Sequence, residues 1–305
     1  MINRRNFLKS TGALGLSALF LSEAHATFFN AANHPLGVQL FTLFNTIDED
    51  VEGSLRKVAG IGYTEIESAF SKQPGYYGMT PKQFAALCHK VGLSWKSHHV
   101  LGAPFKLPKG AVMPKGADGK ALDISALKNL KDNMQELVDQ VAEGKVPYLV
   151  CANIPTGTLD EVKSSIDILN KTGAACKKVG IQFCYHNHDM EFNKIDDKTP
   201  YYMLLDETDS NLVKMELDVA WATKARVNIP KLFAKYPGRF PLLHMKDISG
   251  DSNLGPVGSG VVDFKSILAH TDTAGVKHYF VEHDMPKDAY ASLKQSYKAL
   301  RDLGL

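Results

Sequence analysis

Eight short apolar runs recur along the chain, and a stretch of helical periodicity follows most of them. The runs are LGVQLFT (36–42), YTEIES (63–68), LSWKSHHV (93–100), PYLVCAN (147–153), IQFCYHNH (181–188), VKMELDVA (213–220), PLLHMKD (241–247) and HYFVEHD (278–284). Between them, Val51–Ala59, Pro81–Val91, Ile124–Glu143, Leu159–Val179 and Ile229–Lys235 place apolar residues at i, i+3, i+4, the spacing of an amphipathic helix. Strands linked through helices run parallel. Eight of them are the number that closes a (β/α)8 barrel. The expected fold is therefore α/β, a single-domain (β/α)8 TIM barrel. A doubly wound open sheet shares the alternation, but no strand-to-helix turn carries GxGxxG, which argues against dinucleotide binding.

Glycines punctuate the pattern. Gly60, Gly92, Gly180 and Gly275 fall where helix C-caps are expected. The segment 101–123 is rich in Pro, Gly and Lys and has no periodicity. It follows the third strand. In a barrel it would rise from the C-terminal face as a lid or substrate wall, or as a plain surface insertion.

Polar residues gather at one end of the strands. Strand two ends in Glu65 and Glu67, strand three in His98 and His99, and strand four at Asn153. Strand five ends in His186, His188 and then Glu191; strand six carries Glu216 and Asp218. Strand seven carries His244, Lys246 and Asp247, and strand eight Glu282, His283 and Asp284. Residues two apart share a face, so His186 goes with His188, Glu216 with Asp218, His244 with Lys246 and Glu282 with Asp284. One such histidine is more often structural than a ligand. Seven of eight strands doing this at the same end points to a catalytic pocket, because that face holds the active site of this fold.

Residue type then limits the chemistry. Imidazoles among carboxylates suit a divalent ion such as Mn, Co, Ni, Zn or Fe. Such an ion polarises a carbonyl and its neighbouring hydroxyl. A nearby carboxylate can then remove the proton from the carbon between them, and Lys246 can steady the developing enediolate oxygen. This is sugar isomerisation or epimerisation chemistry.

The N-terminal segment reads as an address. Arg4 and Arg5 followed by NFLK resemble a twin-arginine export signal, and Ala24-His25-Ala26 reads as a cleavage site. The apolar run Thr11 to Leu21 is too short for a spanning helix. An uncleaved anchor is the alternative. The expectation is a signal over 1–26, recognised by the twin-arginine export machinery, and a barrel over 27–305 in the periplasm. The formal net charge is +2, and the signal carries Arg4, Arg5, Lys9 and Glu23. The remainder is near neutral, which gives no support for nucleic acid as a partner. The four cysteines, Cys88, Cys151, Cys176 and Cys184, form no CxxC pair. Cys151 and Cys184 sit in strand-like runs, where buried free thiols are common.

Several pieces together resemble the sugar phosphate isomerase/epimerase family with the xylose-isomerase-like TIM barrel. They are LGVQLFTL, IGYTEIE, YHNHDMEF, MELDVAWA, LLHMKDI, PVGSGVVDF and YFVEHD, spread from about Leu36 to Leu300. The resemblance implies one divalent metal held by residues from strands five to eight. Asp218, His244 and Glu282 match three ligand positions. Strand five departs from the pattern: many members have a glutamate there, and this chain has YHNH. His186 is the first substitute and His188 the second. The resemblance also implies a base role for Glu282 and sugar contacts from Glu191, and lets His188 face the substrate instead of the metal; with Lys246, Glu282 and His188 are the expected catalytic residues. His99 and Glu67 are further candidates for the substrate pocket, Glu67 also as a group that orients a ligand.

In the family's epimerases the two ligand glutamates also act as bases on opposite faces. The missing strand-five glutamate puts a two-base epimerase in question. It gives weight to a one-base isomerase, or to a metal-dependent lyase or hydratase acting on keto-sugars or glycosides. A non-catalytic periplasmic carbohydrate-binding protein is the third reading. Apurinic endonucleases share the fold, but they need more His and Asp ligands than this chain aligns. An exported enzyme would meet a free, oxidised or glycosidically linked sugar rather than a phosphorylated one.

Overall fold

The computed structural model describes residues 34–104 and 127–305. The expected export signal lies outside the described residues, as does most of the 101–123 segment. Within them, eight parallel strands close into a barrel: β1 (Leu36–Gln39), β2 (Glu65–Ser68), β3 (Ser94–Leu101), β4 (Tyr148–Asn153), β5 (Gln182–His186), β6 (Val213–Asp218), β7 (Leu242–Met245) and β8 (His278–Val281). Each pairs with its sequence neighbours, and β1 pairs with both β2 and β8. The ring has no open edge, as the (β/α)8 expectation requires.

Helices α1 (Val51–Ile61), α2 (Pro81–Lys90), α3 (Leu130–Glu143), α4 (Leu159–Lys178), α5 (Pro200–Glu207), α6 (Val219–Lys224), α7 (Ile229–Lys235), α8 (Phe264–Leu268), α9 (Thr271–Ala274) and α10 (Ala289–Asp302) connect and surround the strands. Local chemistry sets their starts. Thr80 and Gln83 exchange side-chain and backbone bonds ahead of Pro81, a capping box. Asp50, Thr158, Asn228 and Asp288 accept from the third residue of their helices. One expected stop moves. Gly60 lies inside α1, and Gly62 ends it at φ +121°. Ile61 is still helical, and only the next residue needs a conformation that a Cβ disfavours.

Strand alternation sorts the core. Leu149, Phe183, Leu243 and Val281 belong to the large cluster beneath the helices. Their neighbours Val150, Cys184, Leu242 and Phe280 form a separate small cluster, which period two assigns to the barrel interior. All four cysteines are buried and free. Burial pushes the Cys88 and Cys176 thiols up to about 12.

The strands are shorter than the apolar runs, for local reasons. After β1, the Gln39 side chain accepts from the Phe41 N–H at 3.0 Å and turns the chain into a 3-10 helix, Leu40–Leu43. After β7, Asp247–Ile248 leaves the barrel and pairs antiparallel with Leu254–Gly255.

Candidate metal and active site

The interior alternation continues upward. Two residues beyond Cys184, Leu242 and Phe280 come His186, His244 and Glu282, on the same strand faces. Glu216 and Asp218 occupy the equivalent levels of β6. All five are buried. One donor atom from each of His186, Asp218, His244 and Glu282 lies within 4.8 Å of the others. The four expected ligands are thus brought together, although they come from four different strands.

Asp218 divides its carboxylate. Oδ1 caps α6, accepting from the N–H groups of Ala220 at 2.9 Å and Trp221 at 3.0 Å. Oδ2 is buried and accepts no hydrogen bond. It lies 3.9 Å from His186 Nε2 and 3.2 Å from Lys246 Nζ. Glu282 Oε2 meets His244 Nδ1 at 2.9 Å and Lys246 Nζ at 2.6 Å. Lys246 also reaches Asp284 at 3.1 Å. Two imidazoles and two carboxylates, one with a buried oxygen that accepts no hydrogen bond, are a donor set that divalent transition ions accept. These residues fit such an ion.

The other nitrogens of the two histidines face a deeper layer. His186 Nδ1 is 3.0 Å from Glu216 Oε2, and His244 Nε2 is 3.1 Å from the same oxygen. His244 Nε2 is also 2.6 Å from Glu67 Oε1. His99 Nε2 bridges Glu216 at 2.6 Å and Glu67 at 3.0 Å, and Gln39 donates to Glu67 at 2.8 Å.

These contacts set the charges. Burial keeps His186 neutral and well below the ordinary imidazole range, helped by His244, His99, His188 and Lys246. Burial opposes a charge on His99, but Glu67 and Glu216 outweigh it and lift the imidazole to about 9. His244 is raised in the same way: burial opposes, and Glu216, Glu282 and Glu67 prevail. Burial and the charge of Glu67 push Glu216 up to about 7, against His244 and His99. Burial would raise Glu282, yet Lys246 and His244 hold it below the carboxylate range. Glu67 is depressed against burial by His99 and His244. Lys246 stays cationic against burial, held by Asp218, Glu282 and Asp284.

Above the cluster opens a cavity of about 230 Å³. His99, His186, Lys246 and Glu282 line it, with His188 at 38% side-chain exposure. Phe41 and Phe70, with ring centres 5.7 Å apart, form an apolar wall. Asn153 and Asp284 complete the polar side.

The structure relocates several expected residues. Glu191 does not line this cavity. It accepts from Tyr185 Oη at 2.6 Å and from the His188 N–H at 3.0 Å, so both oxygens are used to fix the end of β5. Glu67 lies below the cavity in the deeper layer. His188 stands past the end of β5, so it is a rim residue rather than the strand-face partner of His186. His98 turns away to Ser68 at 2.8 Å and packs near Tyr76. Burial and His99 push it down to about 3. Gln39 is buried and holds Glu67. Phe41 and Phe70 line the pocket without having been expected there, and Asp284 joins it as one of the expected strand-end polar residues. Asp284 carried a signal, lying two residues beyond Glu282; the two phenylalanines carried none. Glu216 likewise lies two residues before Asp218.

Asp247 serves the rim rather than Lys246. Its carboxylate accepts from the N–H groups of Ile248, Gly258, Gly260 and Val262 at 2.8–3.3 Å. A Cβ on Gly260 would lie 2.3 Å from Asp247 Oδ1 and from the Ile248 carbonyl oxygen. Asp247→Ala should cost about 2–3 kcal/mol, since it strips a charged acceptor from buried donors. Urea unfolding measures it. A loss below about 0.5 kcal/mol would show that the loop holds itself.

Comparison with known proteins gives a consistent picture. Residues 55–303 match the family profile described as xylose isomerase-like TIM barrel. No curated protein sequence matches the chain. Two solved structures of a sugar phosphate isomerase/epimerase from Parabacteroides distasonis are similar. One is 27% identical, covers 88% of this chain and 98% of its own, and superposes with a TM-score of 0.72. The other is 26% identical, covers 88% and 94%, and has a TM-score of 0.71. The IolI protein with a bound zinc atom shares the fold at 16% identity, with 88% and 98% covered and a TM-score of 0.65.

Proposed function

Because the chain belongs to the xylose isomerase-like TIM barrel family, we propose that it is a divalent-metal-dependent sugar isomerase or epimerase. The observation that carries this reading is the buried donor set of His186, Asp218, His244 and Glu282, of which His186 and Glu282 line an open cavity. The likeness to a sugar phosphate isomerase/epimerase supports the class of substrate. The twin-arginine-like Arg4-Arg5 motif supports a periplasmic reading, in which the substrate is a free, oxidised or glycosidically linked sugar.

His186, Asp218, His244 and Glu282 would hold the ion, which when bound polarises a carbonyl and its neighbouring hydroxyl. Glu282 faces the cavity as a carboxylate and takes the proton from the carbon between those oxygens. Lys246 donates to the oxygen that gains charge. His188, at the rim, moves protons between oxygens. Phe41 and Phe70 cover the apolar face of the sugar and exclude water.

A second reading rests on the imidazole at strand five. With one carboxylate base in place of two, removal of the proton can be followed by loss of a neighbouring oxygen substituent, which is lyase or hydratase chemistry on a keto-sugar. Incubation of free and 3-keto sugars in D2O separates the two. Deuterium in an isomeric sugar of unchanged formula supports the isomerase or epimerase. An unsaturated product supports the lyase.

Elemental analysis tests the centre itself. We expect one divalent ion per chain, lost in the Asp218→Ala, His244→Ala double variant. Full metal content and activity in that variant would overturn the site. An absence of metal after loading with Mn, Co, Ni and Zn would leave a carbohydrate-binding role as the better reading.

A further inference from the structure

His186 of the proposed centre turns its second nitrogen to the buried carboxylate of Glu216, whereas His244 Nε2 lies closest to Glu67 Oε1, at 2.6 Å. Glu216 Oε2 is 3.0 Å from His186 Nδ1 and 3.1 Å from His244 Nε2. The opposite nitrogens face the ligand cluster: His186 Nε2 toward Asp218, and His244 Nδ1 toward Glu282. Glu216 is fully buried, lies outside the cavity lining, and belongs to none of the steps above. Its own position is fixed by His99 at 2.6 Å, and His99 is tied in turn to Glu67, which Gln39 anchors.

The geometry points to Glu216 as the positioning residue of the metal centre: it holds a proton on His186 Nδ1, leaving the lone pair of His186 Nε2 directed at the ion. This inference rests on the metal reading above. The physical reason is that a neutral imidazole has one donor and one acceptor nitrogen. An ionised carboxylate can only accept, so His186 Nδ1, 3.0 Å from Glu216, carries the hydrogen, while Asp218, 3.9 Å from His186 Nε2, is beyond hydrogen-bond reach. Ring orientation follows from the same bond, and such outer partners typically change metal affinity by about 10–100-fold. His99 and Glu67 form the brace that keeps Glu216 Oε2 in place.

The test compares wild type with Glu216→Ala and Glu216→Gln, loaded with Co(II) as the probe metal. Chelator competition should show binding weakened about 10–100-fold in Glu216→Ala, with a shifted visible Co(II) spectrum and one ion per chain retained at saturation. Glu216→Gln keeps an acceptor oxygen of the same reach and should fall between the two. Circular dichroism confirms that each variant folds. Long-range 1H–15N NMR of the metal-free wild type, labelled at histidine, should find the His186 proton on Nδ1, and Glu216→Ala should lose that preference.

Affinity within twofold of wild type with an unchanged spectrum would overturn the positioning role. So would two ions per wild-type chain and one in the variants, which would make Glu216 a ligand. If the wild type binds no Co(II), the metal reading falls, and the His186 proton position alone decides whether Glu216 sets the ring. A proton found on Nε2 overturns it there too.

Discussion

Glu282→Gln should lower turnover by about 10²–10⁴-fold while the chain keeps its ion. Glutamine retains an oxygen of the same reach. That oxygen can still accept from Lys246, 2.6 Å from Glu282 Oε2 in the wild type, and from His244 at 2.9 Å. It cannot take up a proton. An interaction needed only in the transition state lowers kcat and kcat/KM together, so KM should change little. His188→Gln supplies the comparison. That side chain stands at the rim at 38% exposure, so its loss should be smaller. The readout is deuterium incorporation from D2O, with metal content measured on the same samples. If Glu282→Gln turns over normally and His188→Gln collapses, the proton-abstracting group belongs to the end of β5, and Glu282 is a ligand alone.

The barrel was legible because its rules are local. Apolar runs, capping residues such as Thr80 and Asn228, and glycines after helices each act within a few positions. The site was legible for one further reason: parallel strands in a closed ring bring all their C-terminal ends to one face. Polar residues at those ends therefore meet, whatever their separation in sequence. Which of them touch was not legible. His244 and Glu67 are 177 positions apart and bond at 2.6 Å; His99 and Glu216 are 117 apart and bond at the same distance. Those pairings depend on strand stagger and on which carboxylates are deep enough to be dry. The same limit explains Glu191, whose hydroxyl partner Tyr185 is six residues back on a strand. It explains Asp247 as well: three of its four backbone donors reach it only once the 255–262 loop has folded over it.

Lys246→Met should destabilise the metal-free chain by roughly 3–5 kcal/mol, the cost of removing one partner from a buried ion group. The side chain is 2% exposed, and its ammonium lies 2.6 Å from Glu282, 3.2 Å from Asp218 and 3.1 Å from Asp284. Methionine keeps most of the volume, so the loss is electrostatic rather than a cavity effect. At ~2–4 °C per kcal/mol for domains of about this size, Tm should fall by roughly 10 °C. Two conditions should narrow the gap between variant and wild type. The first is acid. Glu282 is held below its ordinary 4.5 in the wild type, so its ion pair contributes fully above that pH, and the contribution is lost as pH falls toward the depressed value. The second is a divalent ion. A ligand that binds only the folded state adds stability, and its charge compensates the same carboxylates that Lys246 does. Zn(II) or Mn(II) should therefore raise the Tm of Lys246→Met by more than it raises that of the wild type. An equal rise in both proteins would mean that the ion and Lys246 do not share carboxylates, and Asp218 and Glu282 could not both be ligands.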